Sequence, residues 1–182
     1  EFEIALYNTR KKQKEFYNNY KGKENFSAAF QKFVENLIRY NYLGSLVAFP
    51  IVRGNASANT VVGALPEIML SEIIPDDGKN PEALQGRYYR MFVYYWSIYS
   101  ASKNNGFNKF TDQAQSLEAK YKASRDFFEN KSFTYFIAKF LLENCGKIPN
   151  PTLKRIYNVL ATEDKYGFYT SLVNGNCGTF IN

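Results

Sequence analysis

Histidine is absent from this sequence, and that removes more chemistry than any other feature of its composition. Ser-His-Asp triads, Cys-His dyads, histidine-ligated metals and a general base poised near neutrality by its unperturbed pKa all go with it. Catalysis would fall to carboxylates, Lys or Tyr. Cysteine is scarce as well. Cys145 and Cys177 make no short-spaced metal-ligand pair, and no histidine exists to complete a zinc site. The expectation is two reduced, partly buried thiols, with a single disulfide as the alternative.

Long apolar runs are missing too. No stretch approaches the ~20 residues of a membrane helix, so no membrane insertion is expected. The glycines are scattered rather than grouped: GxGxxG and GxxxxGK[ST] do not occur, which excludes the common phosphate-cradling loops. Asp76-Asp77-Gly78 lacks the later oxygen ligands of an EF-hand and reads as a turn with its two aspartates facing water. These absences imply no cofactor and argue against an enzyme. The chain begins at Glu1 and carries no basic-then-apolar leader. That favours a cytoplasmic protein; the lack of an initiator Met, with the triplets Asn25-Phe26-Ser27, Asn55-Ala56-Ser57 and Asn130-Lys131-Ser132, leaves a secreted, processed one open.

Aromatic residues are abundant: 16 Phe, 15 Tyr and one Trp in 182 residues. With 45% hydrophobic and 22% charged residues, the chain has the balance of a globular protein and enough length for a proper core. One domain spanning 1–182 is expected. The net charge is +6, a modest excess that attracts polyanions.

Apolar residues recur at helical spacing along most of the chain. A basic helix is expected from about residue 3 to 20, ended by Gly22. The cleanest pattern follows: Phe26, Ala29, Phe30, Phe33, Val34, Leu37 and Ile38 form an unbroken stripe, read as core, in a helix from about Glu24 to Tyr42 that stops near Gly44. The segment 43–80 is expected to be irregular, with Pro50 as an interruption, a polar loop over Arg53–Thr60 and a short helix from about Pro66 to Ile74. The central helix should lie within Pro81–Lys103, where Leu84, Tyr88, Met91, Phe92, Tyr95, Trp96 and Tyr99 share one broad aromatic face. Asn104-Asn105-Gly106 stops it. Further helices should start at Thr111-Asp112 and Ser132, at Asn150-Pro151, and at Thr162-Glu163-Asp164, the last ending about Val173 before a turn-rich tail. The fold class is all-α, a bundle of six to eight helices.

Basic groups interleaved with aromatics carry the leading functional expectation: a non-catalytic subunit that holds RNA or single-stranded DNA within a nucleoprotein assembly. The candidate contacts are Arg10, Lys11, Lys12 and Lys14 on the first helix, and Arg87, Arg90, Lys103, Lys109, Lys120, Lys122 and Arg125 on and between two later ones. Tyr88, Tyr89 and Tyr94 could stack on bases. The alternative is a protein-interaction or extracellular helical domain with a protein partner or a second copy of itself, favoured by an exposed apolar patch and evenly spread charge. A third reading is a metal-dependent nuclease using Glu67, Glu72, Asp76 and Asp77 with Lys79 nearby.

Overall fold

The computed structural model describes residues 1–56 and 63–181. Among them are eight α-helices: α1 (Phe2–Asn18), α2 (Ala28–Ala56), α3 (Glu67–Leu70), α4 (Arg87–Asn104), α5 (Gln113–Phe127), α6 (Asn130–Asn144), α7 (Asn150–Glu163) and α8 (Phe168–Ile181). Short 3-10 turns occupy Lys23–Asn25, Pro75–Lys79 and Pro81–Gln85. The protein is an all-α helical bundle.

α4 sits at the centre, packed chiefly on α2 and then on α5. Tyr89, Phe92, Val93 and Tyr99 are buried there, and the Phe92 ring meets those of Tyr40, Trp96, Phe127 and Phe128. α6 is the second hub, packed on α7 and α8: Phe133, Phe136, Ile137, Phe140 and Leu141 are buried on it, and the rings of Phe133 and Phe136 meet those of Tyr121 and Tyr94 on α5 and α4. α1 runs antiparallel to α2, with Phe2 stacked on Phe49 at one end and Tyr20 on Phe26 at the other.

Several boundaries differ from the expected ones. α2 does not stop at Gly44 and passes through Pro50 to Ala56. Gly44 is a contact point instead: a Cβ there would lie 2.9 Å from Met91 Cε and 3.1 Å from the Tyr88 carbonyl oxygen, so the missing side chain lets α2 and α4 approach closely. Pro50 is tolerated because its ring is buried and the packing on either side holds the helix. Of the polar loop expected over 53–60, residues 53–56 form the last turn of α2, and 57–60 lie outside the described residues. The short helix expected to reach Ile74 ends at Leu70.

The caps are mixed. Asp112 is the N-cap of α5, its carboxylate accepting from the Gln115 N–H at 2.8 Å. Ser132 is not a cap. α6 starts two residues earlier, and Ser132 is buried with its hydroxyl 3.0 Å from that of Tyr89. α7 begins at Asn150 with Pro149 in the N-cap position, and no side chain caps it. Asp164 lies at the end of α7 and its carboxylate accepts from the Thr170 N–H at 2.8 Å and the Thr170 hydroxyl at 3.1 Å.

The tail is a helix rather than a series of turns. α8 continues to Ile181 despite Gly175 and Gly178, because Val173, Cys177 and Ile181, four residues apart, are buried on one face. The two cysteines are not reduced thiols. Cys145, at the end of α6, is joined to Cys177 by a disulfide, since the packing of α6 on α8 brings their Cα atoms to 5.8 Å.

Candidate functional site

The helical stripe of α2 is split by the tertiary structure. Its C-terminal half is core: Tyr40, Leu43, Leu46, Val47 and Ile51 are buried. No residue from Ala28 to Arg39 is. The seven-residue pattern that reads most cleanly as core is therefore not core. Phe30 is 45% and Phe33 40% exposed. The twelve residues span roughly 18 Å of helix.

Local structure holds this arm in place. Gly22, at φ +93°, turns the chain after α1. The Ser27 hydroxyl then caps α2, accepting from the Phe30 N–H at 3.2 Å. Opposite lies the end of α1, with Phe16 72% exposed and Tyr20 also exposed. Between them runs an apolar groove of about 380 Å³, whose walls include Phe16, Tyr17, Tyr20, Phe26, Phe30 and Leu37. The rings of Phe26 and Phe30 meet edge to face at 4.8 Å. A second cleft of about 240 Å³, lined by Phe33, Asn36 and Lys32 among others, adjoins it and shares Leu37 and Tyr88. The two clefts flank the same arm.

One polar atom in this apolar setting lacks a partner. Tyr17 is only 7% exposed, lines the groove, and its hydroxyl makes no hydrogen bond among the described residues. Lys23 sits over the Tyr17 ring, its Nζ 4.3 Å from the centroid.

The structure disperses the candidate nucleic-acid contacts. Arg10 is mostly buried, ion-paired with Glu72 and stacked 4.4 Å over Tyr42. Lys11 faces Glu15 at 3.9 Å. Lys12 and Lys14 are exposed; burial and the nearby Arg10 and Arg39 charges push the Lys14 ammonium below its usual range. Arg87 lies over Tyr88 at 4.6 Å. Arg90 donates to the Leu84 and Gln85 carbonyls, closing the 3-10 turn before α4. Lys103 pairs with Glu67 at 3.3 Å, about 24 Å along α4 from Arg87. Lys109 is half-buried in the α4–α5 connection. On α5, Lys120 sits over Phe140 of α6 at 5.3 Å, and burial lowers its pKa. Arg125 pairs with Glu163 of α7 at 2.5 Å. These two face α6 and α7, leaving Lys122 exposed without an ion-pair partner among the described residues. Tyr89 is buried, and Tyr94 donates to Glu143 at 2.8 Å beneath Lys139.

The acidic candidates are also separated. Asp77 is buried rather than facing water. Arg39 donates to both its oxygens at 2.6 Å, and the Ile74 N–H donates at 2.9 Å. Glu72 also accepts from the Tyr42 hydroxyl at 2.8 Å. Burial opposes its charge, but the hydrogen bonds from Arg10 and Tyr42 hold its carboxyl below the usual range. Lys79 pairs with Glu129 at 3.4 Å. Among the described residues no cluster of three or more metal-capable side chains forms, and no helix is long and apolar enough to cross a membrane.

The α2 residues that line the groove are those whose spacing reads as core, and the structure leaves them uncovered. The one available signal was charge around them: between Lys11 and Glu35 lie six lysines and three glutamates, dense for a helix pair meant to be covered on both sides. Set against protein-family models, characterised proteins and solved structures, the chain matches none of them.

Proposed function

We propose that this protein is a non-enzymatic helical docking module that binds a protein partner along the N-terminal arm of α2. The observation that carries the reading is that no residue of the apolar stripe from Phe26 to Ile38 is buried, with Ala29, Phe30 and Phe33 exposed. Two adjoining clefts sharing Leu37 and Tyr88 make the patch contiguous, and contiguous apolar surface on a soluble bundle marks an interaction site. The dispersal of the basic residues into local pairs supports the same reading. The Cys145–Cys177 disulfide favours an oxidising compartment for the encounter.

Selection of random peptides displayed on phage tests it, with Phe30→Ser and Phe33→Ser proteins as counter-targets. Recovery of peptides that bind the native protein and lose at least tenfold in affinity on either variant is the expected result. Peptides that bind all three alike, or none at all, would overturn it.

A second reading keeps nucleic acid as the partner, because Lys23, Lys32 and Arg87 stand at the edges of the same two clefts, near the exposed rings of Phe30 and Phe33, and rings edged by cations suit stacked bases. Titration with single-stranded RNA and DNA at two salt concentrations separates the readings. Steeply salt-dependent binding lost in Phe30→Ser would transfer the groove to nucleic acid.

A further inference from the structure

We infer that the occupant of the α1–α2 groove is an amphipathic helix with an acidic flank, presenting a carboxylate to the Tyr17 hydroxyl and Lys23. The inference rests on the docking reading above and names the partner's chemistry.

Three observations lead to it. Apart from Tyr20 and Phe26 the walls of the groove are helical, so their backbone groups are bonded within α1, α2 and α4. An extended peptide laid along them would find no main-chain partners for its own N–H and C=O groups. A buried, unbonded peptide group costs free energy, so the occupant must satisfy its backbone internally, as a helix does. The apolar arm matches this: from Phe26 to Leu37 it offers about three turns of ridges and hollows, suited to side chains at i, i+3, i+4 and i+7.

The second observation is the Tyr17 hydroxyl, buried and without a partner in an otherwise apolar wall. A purely apolar occupant would leave it so, at a desolvation cost. An occupant bearing a hydrogen-bond acceptor there relieves that cost.

The third is charge. Lys23 lies over the same tyrosine, with Lys32 and Arg87 at the neighbouring cleft. The Glu35 charge also acts on the Tyr17 phenol and Glu82 lines the neighbouring cleft, but Lys23 is the charged group seated against the Tyr17 ring itself. A carboxylate at that point meets both the lysine and the unpartnered hydroxyl, which selects an acidic group on the occupant.

The test uses the full chain and two designed helical peptides with the same apolar stripe, one with glutamate and one with lysine on the polar positions, titrated by calorimetry. The glutamate peptide should bind at least tenfold tighter, with the difference shrinking as salt is raised. Tyr17→Phe should weaken it about three- to tenfold and Lys23→Glu should abolish its advantage, both with unchanged melting temperatures. Equal binding by both peptides, lost together in Phe30→Ser, would overturn the acidic-helix inference and leave the docking reading standing. Failure of both peptides would also overturn it. Sedimentation then decides the occupant: a concentration-dependent dimer lost in Phe30→Ser would assign the groove to a second copy. A monomer, with display selection also empty, would overturn the docking reading too.

Discussion

Arg39 of α2 grips Asp77 with two hydrogen bonds, Nε to Oδ1 and Nη2 to Oδ2, each 2.6 Å. The carboxylate is buried and the guanidinium partly so. Arg39 also donates to the Glu72 carbonyl at 3.2 Å, and Tyr89 to the Asp77 carbonyl at 2.9 Å. The 71–80 segment is thereby tied to α2 and α4. Removing one partner strands the other. Arg39→Met should lower unfolding free energy by about 3–5 kcal/mol, read from urea denaturation. A loss near zero would show the pair is dispensable.

The exposed stripe separates stability from docking. Phe30→Ser and Phe33→Ser should each cost no more than ~1.5 kcal/mol, because both rings stay partly in solvent and Phe30 loses one edge-to-face contact with Phe26. Phe92→Ala, at a fully buried position, should cost about 3–5 kcal/mol. If Phe33→Ser proved as costly as Phe92→Ala, the arm would be core after all.

Gly44 and Gly78 act by absence. Gly44→Ala ought to gain about 1 kcal/mol from helix propensity alone, yet its Cβ would press on Met91 and the Tyr88 carbonyl. A net loss of about 1–2 kcal/mol is expected, since overpacking outweighs propensity. Gly78→Ala should cost more, because its Cβ would run into the backbone carbonyl of Phe127, which cannot swing aside as a Met side chain can. Thermal melts of the two variants check the order.

The disulfide closes a loop with a sequence separation of 32. In the chain-entropy account a loop of that size contributes about 3–4 kcal/mol. Reduction, or the double variant Cys145→Ala/Cys177→Ala, should lower the melting temperature by that equivalent. α8 should then lose amide protection before α4 does, since its glycines leave it little intrinsic helicity.

Alkaline pH should unfold the protein through its tyrosines. Burial pushes the phenols of Tyr42 and Tyr89 up to about 12, and those of Tyr40 and Tyr94 upward as well. In the unfolded chain these groups ionise near pH 10. Above that value the unfolded state has released protons the native state retains, so stability falls as pH rises. The contribution is intact below pH ~10 and lost through about pH 12. Phenolate absorbance and circular dichroism followed together should show a late absorbance step that coincides with the loss of helix; completion of the absorbance change before any helix is lost would contradict the burial argument.

Helical periodicity was strong enough to reveal the elements, and the breakers were misleading where packing overruled them. Gly44 and Pro50 look like stops, but the gain from burying Leu43, Leu46, Val47 and Ile51 against α4 carries α2 through both. The tail looked like turns because Gly175 and Gly178 depress local helicity; one buried face and a disulfide restore it. Arg39 drew no notice in the sequence, as its partner lies 38 residues away and long-range pairs leave no periodic trace.

The sequence by itself determined that this is an all-α bundle centred on the aromatic helix α4, because helical spacing and core-forming residues are local properties. Only the tertiary structure decided which apolar face is covered. Phe92 and Phe33 both belong to apolar stripes at helical spacing, and burial depends on whether another helix lies opposite. For Phe92 one does, and Phe33 is left facing solvent.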